Sequence, residues 1–275
     1  MKPIPFYKMS GSGNDFIIID NREGLVPEER LSQFITGSCR RKVSAGADGI
    51  ILIETSPTAD FRWRFYNADG SVAEMCGNGA RCAARYAFLK GIASRKMIFE
   101  TVAGTIEALV GEGVVKIRMT DPIALKRHVS LDVDGEAMKA SSINTGVPHV
   151  VVFVEEIENI DVRRTGRLIR NHPDFSPDGT NANFVEAGSD GDIFIRTYER
   201  GVEDETLACG TGNVAAALLL AEMRRIPSPV TLTTRSGSKL TVYFQKQNDT
   251  YGSVFLEGDA RVIYSGKLWE EAWRM

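Results

Sequence analysis

Cys76-Gly77-Asn78-Gly79 and Cys209-Gly210-Thr211-Gly212 are the two stretches of this chain whose residue types could do chemistry together. Each follows a strand-like run that closes in a glycine turn. These runs are 61–67 with Ala68-Asp69-Gly70, and 192–200 with Gly201. Each leads into an alanine-rich helical stretch, 83–89 and 214–223. The glycines let the backbone turn tightly with no Cβ in the way. A helix start offers N–H groups without intrahelical partners and a partial positive charge, which favour a thiolate over a thiol and can hold a carboxylate. Two such sites predict one active centre built from two halves. One thiolate removes a proton from one face of a carbon acid while the other thiol supplies a proton to the opposite face, which inverts the centre. The N–H groups of Gly77-Asn78 and Gly210-Thr211 are expected to receive the substrate α-carboxylate and to stabilise the developing negative charge.

The elements that must position these sites come in two rounds. The first half reads as turn residues into a buried strand over 16–19, a helix over 27–36 with Pro27 at its start, a strand over 49–54 and a half-solvated strand over 61–66. The first Cys-Gly helix then ends near Gly91, and 97–120 holds several short strands. The second half repeats the order, with Pro148-His149 entering a strand over 150–154, a basic helical stretch over 161–171, and Asn181 entering another strand. The offset stays in step: Asn14 to Pro148 is 134 residues, and Asp48 to Asn181 and Cys76 to Cys209 are both 133. A duplicated half-chain predicts two similar domains, 1–121 and 122–264, with the tail 265–275 returning to the first. Residues 214–221 leave the second Cys-Gly helix almost no polar face, so protein surrounds it. The expected architecture is α+β, two pseudo-symmetric domains, each a curled and mostly antiparallel sheet around a central helix.

Bulk properties narrow the partners. A net charge of −3 gives no field for nucleic acid or an anionic membrane. No apolar run reaches the length of a membrane span and no signal peptide is legible, so the expected compartment is the cytoplasm. The four cysteines, Cys39, Cys76, Cys82 and Cys209, include no CxxC pair, so neither a zinc site nor a disulfide framework is expected.

Gly-Ser-Gly-Asn-Asp-Phe (11–16), Phe-Tyr-Asn-Ala-Asp-Gly-Ser (65–71), Met-Cys-Gly-Asn-Gly-Ala-Arg-Cys (75–82), Tyr-Glu-Arg-Gly (198–201) and Glu-Thr-Leu-Ala-Cys-Gly-Thr-Gly (205–212) resemble the diaminopimelate epimerase family. The resemblance runs over essentially the whole chain. It implies a cofactor-independent epimerase that interconverts LL- and meso-diaminopimelate in lysine and peptidoglycan synthesis, and a homodimer. It implies that Cys76 and Cys209 are the catalytic pair, that His149 and Glu199 support the reacting centre, and that Asn14, Asn67, Asn181, Glu199 and Arg200 contact substrate. Arg200 suits a bidentate grip on a distal carboxylate, and amides suit a zwitterionic end that both donates and accepts. Two positions depart from the family pattern. Val147 stands where an asparagine is common, with Asn144 or Asn183 as replacement amides, and Gly49 stands where some members carry glutamine.

Plainer readings exist beside these. Cys39 and Cys82 read as small buried hydrophobes. Asn14 and Asn67 also suit turns beside glycine, Arg200 a surface site, and His149 a satisfied structural histidine. The basic runs 39–42 and 163–170 read as solvated helix faces. Proline and hydroxyproline racemases are the nearest enzymatic rivals, since they also use two cysteines. They typically show His where Asn78 stands and have no need of a distal clamp. A thiol sensor or small-ligand binding module is the rival of another class, and leaves the glycines, the amides and Glu199-Arg200 without a role.

Overall fold

The computed structural model describes residues 2–274 apart from Glu74, Ser189 and Asp249. These residues form an α+β protein of two compact units. One runs to Ile117 and takes back the chain from Gly258; the other is Arg118–Glu257.

In the first unit, β1 (Ile4–Gly11), β2 (Asn14–Asp20), β3 (Gly49–Glu54), β4 (Phe61–Asn67), β5 (Lys96–Thr101), β6 (Gly104–Val110) and β7 (Val114–Arg118) follow one another across a sheet. The pairs β2–β3 and β4–β5 are parallel and the others antiparallel. The second unit runs β8 (Ile123–Val133), β9 (Glu136–Asn144), β10 (Pro148–Phe153), β11 (Asn181–Ala187), β12 (Ile193–Glu199), β14 (Val230–Thr233), β15 (Lys239–Gln247) and β16 (Thr250–Asp259), with the short β13 (Asp204–Thr206) also on β12. Here β10–β11 and β12–β14 are the parallel pairs. Order and sense repeat those of the first sheet strand for strand, once β17 (Arg261–Leu268) is placed antiparallel outside β1 as β8 lies outside β9.

That last pairing moves the domain limits. Ile4 lies opposite Leu268 and Ser10 opposite Arg261, so the whole of β17 belongs to the first sheet. The expected joins at 121 and 264 therefore fall instead after Ile117 and Glu257. Beyond β17, Trp273 is buried edge-on against Phe34, with ring centroids 5.4 Å apart, and the Arg30 guanidinium lies 4.7 Å over the Trp273 ring. Gly37 admits this segment, because a Cβ there would meet the Trp273 carbonyl oxygen at 2.2 Å.

Both faces of the central strands are covered, which is why β2 and β3 read as unbroken apolar runs. Ile17, Ile19, Ile50 and Leu52 pack with Phe34 and Ile35 of α1 (Leu31–Cys39). The alternate residues Phe16 and Ile51 meet α2 (Gly77–Leu89), where a Cβ on Gly79 would sit 3.2 Å from Ile51 Cδ1. In the second unit α3 (Val162–Arg170) covers one face and α4 (Gly210–Arg224) the other. The side chain of Asp161 caps α3 by accepting from the Arg164 N–H at 3.1 Å. Every residue from 214 to 220 in α4 is fully buried, and strands β8 to β12, β14 and β15 all touch the helix. Each buried leucine there contributes about 1.5–3 kcal/mol, so this helix anchors the unit's core.

One element differs in detail from expectation. Pro27 does not open an α-helix; it precedes a 3₁₀ turn over Glu28–Arg30, and the α-helix follows over Leu31–Cys39. Arg30 leaves helical geometry at φ −126°, and the buried face continues past Thr36 to Cys39. Among the described residues, no helix is long and apolar enough to cross a membrane.

Candidate active site

Both cysteines are helix N-caps in extended backbone geometry. Cys76 caps α2 at φ −146° and Cys209 caps α4 at φ −114°; neither side chain makes a capping bond. The first intrahelical bonds run from Ala80 N to Cys76 O (2.8 Å) and from Asn213 N to Cys209 O (3.0 Å). The amides of Gly77, Asn78 and Gly79, and of Gly210, Thr211 and Gly212, thus precede any intrahelical acceptor, the arrangement that attracts an anion.

In the first unit Asn14, at the start of β2, accepts through Oδ1 from the Cys76 S–H at 3.5 Å and donates through Nδ2 to Asp48 Oδ2 at 2.6 Å. Asp48 is held in turn by the Asp15 N–H at 3.0 Å and by Arg41 at 2.7 Å, while Arg41 and Lys8 both pair with Asp15. Burial works to raise the Asp15 pKa, but Arg41 and Lys8 outweigh it and bring the carboxyl down to about 2. Arg41 is solvent-exposed, as expected for 39–42, but it follows the end of α1 instead of lying on the helix, and it fastens the carboxylates behind Asn14. Asn67 is exposed at the end of β4 and donates to Ser71 Oγ at 3.0 Å, bracing the turn that leads towards Cys76. Asn78 is buried, and its Oδ1 accepts from Arg81 at 2.9 Å, which leaves its backbone N–H for a ligand. Gly49 starts β3 where a Cβ would meet Tyr66 O at 2.5 Å, so the backbone here has no room for a side chain.

In the second unit the register of β10, β11 and β12 gathers the polar residues. His149 lies opposite Asn181, and Asn183 opposite Thr197. Asn183 is fully buried: its Oδ1 accepts from Thr197 Oγ1 at 3.0 Å, and its Nδ2 faces Val150 O at 2.8 Å and His149 Nδ1 at 3.2 Å. With an amide N–H aimed at Nδ1, the ring proton belongs on Nε2, a buried atom with no hydrogen-bond partner among the described residues. Burial, reinforced by the nearby Arg200 charge, pushes the His149 pKa down to about 3, so the ring is neutral. Asn183 is thus fully used in orienting His149 and does not replace the amide absent at Val147. A Cβ on Gly212 would lie 2.4 Å from Asn183 Oδ1, which ties the second Cys-Gly turn to the same network.

Glu199 ends β12. Burial raises its pKa, and the neighbouring Thr206 and Cys209 side chains work the other way. Cys209 Sγ also lies 3.5 Å from Thr211 Oγ1, and Thr145 Oγ1 holds Thr211 O at 3.1 Å. Asn181 accepts from the Arg200 N–H at 2.8 Å and donates to Pro148 O at 3.1 Å, so it fixes the backbone that carries Arg200. The Arg200 guanidinium touches Asp178 O at 3.3 Å and has no carboxylate partner among the described residues. Cys39 and Cys82 are buried thiols, each pushed up to about 12 chiefly by burial.

The family model for diaminopimelate epimerase matches residues 6–124 and 141–263. The diaminopimelate epimerase of Aquifex aeolicus is 47% identical over 97% of this chain and 98% of its own length. That of a Hydrogenobaculum species is 44% identical over 95% of this chain and 97% of its own. The chain belongs to the diaminopimelate epimerase family. It is an isomerase. A phenazine biosynthesis protein of the PhzF family from Bacillus anthracis shares the fold, with a TM-score of 0.75 over 98% of this chain and all of that one, at 17% identity. Among diaminopimelate epimerase motifs in this chain, 75–82 and 205–212 hold the two helix caps, and 198–201 holds Glu199 and Arg200.

Proposed function

We propose that the protein interconverts LL- and meso-2,6-diaminopimelate without a cofactor, using Cys76 and Cys209 as a thiolate–thiol pair, in lysine and peptidoglycan biosynthesis. The observation that carries this reading is the pair of cysteines on equivalent helix N-caps of a duplicated fold. In each direction one thiolate takes the α-proton: the C–H bond breaks, an S–H bond forms, and its electron pair stays on carbon. The other thiol then gives its proton to the opposite face, forming the new C–H bond and leaving a thiolate. Proton count is unchanged, and the two sulfurs have exchanged states. Amides of Gly77, Asn78, Gly210 and Thr211 receive the α-carboxylate and the charge that builds on it. His149 Nε2–H and Glu199 act at the reacting end, while Arg200 and the amides of Asn14, Asn67 and Asn181 serve substrate binding. The pair works only while both sulfurs are reduced, which fits the cytoplasm.

The test is incubation of purified protein with LL-diaminopimelate, with no pyridoxal phosphate added, and chiral separation of the products. Conversion to the meso isomer is expected. Turnover of proline or hydroxyproline instead would refute the substrate assignment.

We also propose a homodimer. Among the described residues β17 pairs within its sheet only with β1, and Val262, Ile263 and Tyr264 along it are exposed, Ile263 to 54%. An apolar strand edge of this kind is stabilised by pairing with a second copy. Sedimentation at micromolar concentration is expected to give twice the 30.2 kDa chain mass; a single monomeric species would contradict it.

A further inference from the structure

A histidine that serves only a protein core uses both of its ring nitrogens. His149 uses one. The residue is buried, Nδ1 faces Asn183 Nδ2 at 3.2 Å, and Nε2 has no hydrogen-bond partner among the described residues. Which atom of the Asn183 amide meets the ring is fixed by two other groups. Val150 O can only accept, so the amide atom 2.8 Å from it is Nδ2. Thr197 Oγ1 donates to Asn183 Oδ1 at 3.0 Å, which holds the oxygen on the far side of the amide. The second N–H of Nδ2 is then directed at Nδ1, and the ring proton stays on Nε2.

The same three places in the first sheet are apolar. His149 lies opposite Asn181, and Asn183, two positions on, lies opposite Thr197. In the twin sheet Phe16 lies opposite Gly49, and Ile51, two positions on, lies opposite Phe65. Phe16, Ile51 and Phe65 are all buried, and the Phe16 and Phe65 rings meet edge to face at 5.7 Å. A Cβ on Gly79 of α2 would touch Ile51 and Phe16, just as one on Gly212 of α4 would meet Asn183 Oδ1. Hydrocarbon alone therefore packs this layer between sheet and helix in the first unit. Three polar side chains in its place cost free energy unless their hydrogen bonds are used. Thr197 and Asn183 use theirs to hold the ring, and the ring keeps Nε2–H for an acceptor that no described residue supplies. Burial and the nearby Arg200 charge keep the ring neutral, and the same charge favours an anionic acceptor.

We propose that Asn183 and Thr197 are positioning residues that make His149 a neutral hydrogen-bond donor: they occupy Nδ1 and keep the proton on Nε2, so the ring binds a carboxylate oxygen of the substrate and carries no proton itself. A ring whose Nδ1 is taken and whose Nε2 is protonated has no free lone pair with which to act as a base. The two sulfurs are left to move the protons. The inference rests on reading His149 as a support of the reacting centre. The tautomer is measured without substrate, so the two can fail separately.

The test is NMR of the full-length protein carrying nitrogen-15 histidine. The chain has three histidines, and His128→Gln and His172→Gln assign the His149 signals by elimination. Without substrate, His149 is expected to show a protonated Nε2 and an unprotonated Nδ1. Saturating diaminopimelate is expected to shift the Nε2 proton downfield. Asn183→Asp sets a carboxyl group against Nδ1 and draws the proton there, and kcat falls by about 10–150-fold as the bond to a charged acceptor is lost. Thr197→Val removes the hydroxyl that holds the amide and lowers kcat by about 2–10-fold, while Thr197→Ser restores it. A proton on Nδ1 in the parent protein would overturn the proposal. So would an Nε2 proton that does not move while diaminopimelate is turned over, or a folded Asn183→Asp protein with the kcat of the parent. Where Asn183→Asp does not fold, a Thr197→Val protein with the kcat of the parent would overturn it instead.

Discussion

Cys76→Ala and Cys209→Ala are each expected to lower epimerisation by about 10³-fold in both directions, since loss of a positioned acid or base removes about 10²–10⁴. In the proposed mechanism inversion needs both sulfurs in every turnover, one to take a proton and one to give it. Removing either one therefore stops both the forward and the reverse reaction. The fold should survive. Neither cysteine side chain caps its helix, so the usual loss of about 0.5–2 kcal/mol on replacing a capping residue does not apply. Circular dichroism and thermal midpoints of both variants should match the parent. Activity within tenfold of the parent in either folded variant would exclude the paired-thiol mechanism.

Arg200→Met is expected to reduce kcat/KM for diaminopimelate by about 10–150-fold, the equivalent of the 1.5–3 kcal/mol that a hydrogen bond to a charged group contributes. Arg200 has no carboxylate partner among the described residues, and its backbone is held independently by Asn181, so the substitution removes the charge without loosening the strand end. A substrate comparison isolates the effect. Lysine is diaminopimelate without its distal carboxyl group, so any slow epimerisation of lysine should be equal in parent and variant. Unchanged kcat/KM for diaminopimelate would remove Arg200 from the distal site.

Much of this was legible along the chain because it is local or repeated. The constant offset between Asn14 and Pro148, Asp48 and Asn181, and Cys76 and Cys209 mirrors two sheets of the same strand order. Glycine after cysteine marks the helix caps, since the helix begins at the glycine itself in both copies. The limits of β3, Gly49–Glu54, coincide with the expected strand because both its faces are apolar.

What was hidden depends on contacts far apart in sequence. Arg41 looks like part of a basic surface run until β2 brings Asp15 beside Asp48. Arg81 looks like an interruption in an alanine helix until Ser12 and Asp259, 69 and 178 residues away, close around it. Asn183 reads as one amide among several, yet strand register turns it into the support of His149. The outer strand of the first sheet arrives from the far end of the chain, and it begins at Arg261, ahead of the tail 265–275 expected to return.

The most direct measurement is proton NMR of LL-diaminopimelate turning over in deuterated water, read at early conversion. The proposed two-thiol mechanism predicts that the meso product carries deuterium at the inverted centre while recovered LL substrate keeps its α-proton, because the proton taken from one face is not the one returned to the other. Washout of the α-proton from recovered substrate faster than product forms, or product that retains the substrate proton, would mean that a single base serves both faces and would contradict the account.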